Sequence, residues 1–418
     1  MKVIQKTWLG QYSSTSEMLQ RLIHIDAQTS HRREGTRPVP DLESLSKIKS
    51  KGGEFTVRKS LSAYYRLPAR LPRVISSNSC LRWASRAMSS FIGEENQSPN
   101  YDPRKYYPAR VGETIARRDR ILSKLGWGAD STVWLAKDTS RSPNRYVTLK
   151  ITNCGEAEQR SANEEVEISR YISQLQSNHE GRAYVRLVCD SFRISRRGGR
   201  ALMFGKHLGS NGVPTAVLKP FLKMVLQGLD FLHSECHLIH TDRLLLNYLK
   251  ADNLLVGFED LGVLESYARQ QESNPAPSWD GDGRPVFRSC PDFGHLRKGV
   301  GLVQISDFSA AVFGNVPEPH NYGIQPQPFC APEVLLKATW TYSADIWNLG
   351  TMLWELLADR VLLDGLDPTT STCSREKHIA QMIRLLEPPP LQLLKRADRH
   401  ICSELFSSSG MISVICLW

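Results

Sequence analysis

Apolar and polar positions alternate at residues 121–125 and 132–136, on either side of a glycine turn, and again at 146–151, which predicts three strands. At 162–172 the apolar spacing changes to a helical period. It then lengthens into a stripe of Val217, Leu218, Phe221, Met224, Val225, Leu229 and Leu232 that predicts a longer helix. Residues 302–306 alternate once more and predict a strand, and 344–357 have the pattern of a second strong helix. Strands first and helices later is the order of an α+β, two-lobed architecture.

The first hundred residues break this pattern. Residues 1–105 are polar, basic and rich in Ser and Arg, with Pro38, Pro40, Pro68, Pro72 and Pro99 interrupting any long periodic segment, and they are expected to be largely disordered. The second unit, 106–418, is expected to fold as an N-lobe over about 106–207 and a C-lobe over about 208–406, followed by an atypical end at 407–418. The chain of 418 residues has a formal charge of +10, all of it carried by residues 1–110, so the remainder is neutral. A folded unit without excess charge is not expected to bind nucleic acid directly. No acidic residue occurs in 55–92, where arginines recur between Leu, Ser and Ala. That stretch reads as a solvated basic linker, with an organelle transit segment, hence a mitochondrial location, as the alternative. The nine cysteines are scattered without zinc-ligand spacing, which fits reduced thiols. No apolar run approaches the roughly 18 residues of a membrane span, so no membrane partner is expected.

Candidate chemistry begins at the glycine turn. Leu125-Gly126-Trp127-Gly128-Ala129-Asp130-Ser131-Thr132-Val133 joins two predicted strands, and its glycines let the backbone approach phosphate oxygens with no Cβ in the way. Lys150 closes the third strand among apolar neighbours, where an unpaired ammonium would cost several kcal/mol, so an acidic partner is required. Glu165 in the following helix is the preferred partner, with Glu164 and Glu167 as nearby alternatives. Further along come His240-Thr241-Asp242, Lys250-Ala251-Asp252-Asn253, Asp307-Phe308-Ser309, Ala331-Pro332-Glu333 and Asp345-Ile346-Trp347-Asn348-Leu349-Gly350.

This succession resembles the eukaryotic protein kinases, and a second set of residues narrows the resemblance to the SR-protein kinases, in particular their short fungal members. That set is Tyr107-Pro108 with Val111-Gly112, the Leu125 to Leu135 run, His240-Thr241-Asp242, and Lys377-His378-Ile379-Ala380 with Met382-Ile383-Leu385-Leu386. The resemblance covers about 106–406. It implies a bilobal kinase fold and serine/threonine kinase activity with ATP and Mg2+. It further implies Arg/Ser-rich splicing factors as protein substrates and cytoplasmic and nuclear residence; the chain is expected to be a monomer. Carried over residue by residue, Leu125, Gly126, Gly128, Ser131 and Val133 would cover the nucleotide, and Lys150 would hold its α/β-phosphates with Glu165 as partner. Phe204 would be the gatekeeper, with Gly205 to His207 as the hinge. Asp242 would be the base, Lys250 would steady the γ-phosphate, and Asn253 and Asp307 would bind magnesium.

Two sequences compete for the metal-binding Asp. Asp292-Phe293-Gly294 is the literal motif, but it follows no strand pattern and lies 41 residues before Glu333. Asp307 follows the alternating 302–306 run at 26 residues before Glu333, and is the expected ligand. The chain also departs from the family. Six residues, about 243–248, separate Asp242 from Lys250 beyond the usual spacing, so either the insert loops out with the catalytic groups intact or the loop is broken. A catalytically impaired nucleotide- or partner-binding module is therefore the alternative function. Residues 310–330 contain no Ser or Thr, and Thr241 stands where regulated kinases carry an arginine, which points to a domain not switched by phosphorylation of that segment. Cys330 replaces the family's arginine. After Phe406 the expected C-lobe is truncated, which leaves Glu333 without the arginine that pairs with it in the family.

Overall fold

A computed structural model describes residues 15, 16, 18, 20, 93–98, 101–128, 130–140, 145–192, 194–196, 199–201, 215–241, 253–258, 261–293, 301–358, 361–367 and 372–406. Four antiparallel strands form the first sheet in the order β1 (Thr114–Ile115), β2 (Asp119–Trp127), β3 (Ser131–Asp138) and β4 (Arg145–Thr152). The three strands predicted here are present and extend by one or two residues at each end, while the strand predicted at 302–306 is shorter, Val303–Ile305. The period of two sends Val133 and Leu135 to one face of β3 and Trp134 and Ala136 to the other. Val133 is paired with Lys150, so the lysine shares the Val133 face. Helix α1 (Glu156–Gln174) starts earlier than the apolar pattern indicated, because Glu156 and Glu158 in its first turn complement the helix dipole.

The hairpin β5 (Ile194–Arg196) and β6 (Gly199–Ala201) precedes helix α2 (Thr215–Ser234), whose apolar stripe lies in the C-lobe core. Two short ladders then cross the base of the cleft. Strand β7 (Leu238–Ile239) pairs with β12 (Val312–Phe313), and β8 (Leu254–Val256) pairs with β11 (Val303–Ile305), all antiparallel. The C-lobe continues through α4 (Pro332–Leu335), α5 (Ser343–Ala358), α6 (Arg375–Leu386), α7 (Leu391–Arg396) and α8 (Arg399–Leu405). Trp340 and Trp347 are fully enclosed in its second core cluster with Ala331, Met382 and Ile401.

Between β8 and β11 lies an insertion for which the sequence pattern predicts no element. It folds as helix α3 (Leu261–Ser273) and the hairpin β9 (Ser278–Asp280) and β10 (Pro285–Phe287), and it wraps the free edge of β2. Leu264, Tyr267, Ala268 and Phe293 pack on the face of Leu122, Leu125 and Val133, while Phe287 meets Trp134 edge-on at 5.6 Å on the opposite face. The Cys290 amide donates to the Lys124 carbonyl at 2.8 Å, which caps an otherwise exposed edge. The insertion leaves and returns at one point. The Gly257 amide donates to the Leu302 carbonyl at 2.8 Å, and a Cβ on Gly301 would lie 2.1 Å from the Gly257 oxygen.

Described residues occur near both ends of the 1–105 stretch, and they move the expected boundary of the folded unit at 106. Residues 93–98 and 101–105 pack against the N-lobe and the insertion, so the folded unit starts before 106. The cause is Lys124, fully buried in β2. Its Nζ donates to Glu94 at 2.7 Å, to Glu95 and to the Phe287 carbonyl at 3.2 Å, and Arg284 reaches Glu95 at 2.8 Å. Two buried cations require these two carboxylates. Thr15, Ser16 and Met18 are helical and sit on α2, with Met18 in the C-lobe core.

Candidate active site

Lys150 Nζ donates to Glu165 Oε2 at 3.0 Å and to Asp307 Oδ1 at 3.1 Å. Burial alone would push the ammonium down, but the Asp307 and Glu165 carboxylates outweigh it and hold the lysine above its ordinary value. Three segments thus converge on one charge: β4 supplies the lysine, α1 the glutamate, and the turn after β11 the aspartate. Among the three acids considered in α1, Glu165 is the one bonded to Lys150.

The β8–β11 register sets the second half of the site. Leu254 lies opposite Ile305, so the residues just outside the ladder, Asn253 and Ser306, meet as well, and the Asn253 carbonyl accepts from the Ser306 amide at 2.8 Å and hydroxyl at 3.0 Å. Asp307 follows with a φ of +68°, a left-handed backbone that a non-glycine residue adopts at some cost. Its Oδ1 accepts from Ser309 Oγ at 2.9 Å. Phe308 is buried with its ring edge-on to His240 at 5.4 Å, and His240 Nε2 donates to the Ser306 carbonyl at 2.9 Å. Behind them the enclosed carboxylate of Asp345 accepts from the His240 amide at 2.7 Å and from His233 Nε2 at 2.8 Å.

The competing Asp292 has a different environment. Its neighbour Phe293 is buried beside Tyr267, ring centroids 4.3 Å apart, and Phe258 at 5.2 Å, so this segment anchors the insertion to the sheet. Asp242, Lys250, Phe204 and the hinge 205–207 lie outside the described residues.

Above the lysine, Leu125 and Val133 are buried in one apolar cluster with Leu255 of β8. Gly128 donates its amide to the Ser131 carbonyl at 2.8 Å, and a Cβ at Gly128 would meet only open space. An oxygen donor set of one carboxylate and one amide, Asp307 and Asn253, suits a hard divalent cation, and the open side of the glycine turn with Lys150 beneath it suits polyphosphate. Sequence reasoning missed Asp130, whose carbonyl accepts from the Asn153 amide at 2.8 Å and ties the turn to the end of β4. Burial, with Glu158 beside it, pushes the Asp130 carboxyl up against the pull of Lys150. A lone acid in a polar turn carries no pattern that could have marked it.

The segment from Asp307 to Glu333 is held by its own side chains. Gln325, at a φ of +68°, donates to Ala344 O at 3.2 Å and Asn348 Oδ1 at 3.0 Å and accepts from the Ala331 amide at 2.8 Å. His320 stacks on Trp340 at 4.5 Å. Cys330 is a buried member of the C-lobe core, where burial pushes its thiol up. Glu333 is buried too. Its Oε1 accepts from Ser343 Oγ at 2.8 Å, and among the described residues no cation lies within ion-pair distance, although Arg396 is near enough to act through its field.

The sequence of residues 120–411 matches the profile of the protein kinase domain. A serine/threonine protein kinase of Aspergillus fumigatus is 33% identical over 73% of this chain and 74% of its own length. The serine/threonine-protein kinase SRPK of Physarum polycephalum is 29% identical over 78% and 79%, and protein kinase dsk1 of Schizosaccharomyces pombe 24% identical over 76% and 74%. With a lysine clasped between a helix glutamate and the aspartate after β11, and with relatives of this kind along most of its length, the chain belongs to the serine/threonine protein kinases, in their SR-protein kinase branch.

Proposed function

We propose that this kinase transfers the γ-phosphoryl group of Mg-ATP to serine hydroxyls of Arg/Ser-rich proteins. The observation that carries the reading is Lys150 held between Glu165 and Asp307 at 3.0 and 3.1 Å. Such a pair would aim the ammonium at the α/β-phosphates, and Asp307 with Asn253 would hold magnesium. Magnesium, when bound, neutralises charge on the transferring group. Leu125 and Val133 would cover the adenine, Leu255 would support it, and Gly126, Gly128 and Ser131 would form the turn that covers the phosphates. Asp242 would accept the substrate hydroxyl proton and Lys250 would steady the γ-phosphate. The Gln325 hydrogen bonds and the His320–Trp340 stack support activity without phosphorylation of the 310–330 segment, since they order it with uncharged groups. On this reading the enzyme would act in the cytoplasm and nucleus.

The deciding experiment gives the purified chain labelled ATP and an Arg/Ser-repeat peptide. Label on peptide serine, lost in Asp307→Ala, is the expected result. Nucleotide binding without transfer above that control refutes it and selects the second reading, a nucleotide-binding module, which the six residues inserted between Asp242 and Lys250 favour.

A further inference from the structure

A chain of hydrogen bonds runs from the N-terminal segment to the catalytic loop. Thr15, fully buried, bonds through Oγ1 to His233 Nδ1 at 2.6 Å. His233 Nε2 donates to Asp345 at 2.8 Å, and the same carboxylate oxygen holds the His240 amide at 2.7 Å. Because Asp345 accepts, the His233 proton is on Nε2, and Nδ1 is the acceptor for the Thr15 hydroxyl. Beside this chain, Ser16 Oγ donates to Asp230 Oδ1, and the other oxygen of Asp230 accepts from His179 Nε2 at 3.2 Å. Met18 completes the contact by entering the apolar cluster of Phe221, Val225 and Leu229.

We propose that Ser16 is a phosphorylation site whose modification releases Thr15, Ser16 and Met18 from helix α2 and thereby loosens the catalytic loop at His240. Thr15 and Ser16 hydroxyls dock only as neutral donors. A phosphate of about two negative charges at Ser16 would face the Asp230 carboxylate at hydrogen-bond distance, and the phosphate ester no longer has a proton to give. The segment is then stable only off the helix, and Thr15 leaves with it. In the modification, Ser16 Oγ bonds to the γ-phosphorus of ATP, the bond from that phosphorus to the β,γ-bridging oxygen breaks, and ADP departs with the electron pair. The hydroxyl proton goes to the base of the protein kinase that acts on the transiently undocked segment. Thr15 is a positioning residue, since it touches His233 and not the reacting atoms.

Hydrogen exchange on the full chain tests this without depending on whether the chain itself transfers phosphate. Phosphoserine installed at position 16, and Ser16→Asp, are expected to raise exchange at 15–20 and at the His240 amide by about tenfold or more, with Ser16→Ala close to wild type. Thr15→Val is expected to raise exchange at His240 alone, and Thr15→Ser, which keeps the hydroxyl, to restore it. Unchanged exchange at 15–20 in phosphoserine protein overturns the release. Release of 15–20 with His240 unchanged overturns the coupling.

Discussion

Replacing Lys124 with Met is expected to cost about 3–5 kcal/mol of folding stability, the range for breaking a buried ion pair by removing one partner. Methionine keeps the length and most of the volume of the stem and deletes only the charge, so the loss reports on Glu94 and Glu95 rather than on a cavity. Glu95 would retain Arg284 at 2.8 Å, and Glu94 would retain the Ser289 amide and hydroxyl at 2.6 and 2.8 Å, which places the effect toward the lower end. In thermal unfolding this corresponds to a fall of roughly 6–20 °C for a domain of this size. Denaturant titration of the purified chain measures the difference directly. Burial alone would raise the Glu95 pKa, but Lys124 and then Arg284 hold it below its ordinary 4.5. A depressed carboxylate contributes stability above pH 4.5 that is lost as the pH falls through the lower folded value. The Lys124→Met variant should therefore lose less stability than wild type across that acidic window. A variant within about 1 kcal/mol of wild type at pH 7 would refute the reasoning, because an enclosed carboxylate pair cannot lose its principal cation so cheaply.

Gly128→Ala is expected to leave the melting temperature unchanged, since its methyl group meets nothing, yet to weaken ATP binding measured by calorimetry, because in the proposed function that space is where phosphate oxygens would approach. Burial raises the Glu333 carboxyl, so the folded state keeps its proton where the unfolded state has lost it, and stability declines as pH rises from 4.5 through the raised value. Glu333→Gln should accordingly raise the melting temperature at pH 7 and have little effect at pH 4; equal shifts at both would contradict the assignment. Gln325→Ala removes three hydrogen bonds at about 1 kcal/mol each, and is expected to lower stability by roughly 3 kcal/mol. Peptide phosphorylation should fall with it while ATP affinity, read by calorimetry, stays constant.

The nucleotide half of the site was legible because its information is local. A glycine turn between two alternating runs, a lysine closing the next strand and a glutamate on the following helix are each set by neighbours in sequence, and the lysine's need for a carboxylate follows from desolvation alone. The strand that ends just before Asp307, and the absence of one just before Asp292, were legible for the same reason. Residues 93–98 were not legible. Glu94 and Glu95 look like any solvated acids, and their purpose is to neutralise a lysine about thirty positions away in a strand. The insertion was opaque in a similar way: Tyr267 and Phe293 acquire meaning only against Leu125 and Val133, a surface that exists once the sheet has formed. Neither the Thr15 hydroxyl nor Asp130 carries any pattern of its own.

The two glycines that cinch the base of the insertion make it a cassette. Asn253 and Asp307 are spaced by the β8–β11 ladder and not by the chain between them, so their separation does not register how many residues intervene. Lengthening a flexible connection costs only about 0.6 kcal/mol per doubling. Whole sequences can be exchanged between the glycines over evolutionary time, or by an engineer, with the catalytic spacing untouched, provided the incoming piece still covers the edge of β2 and the buried lysine beneath it.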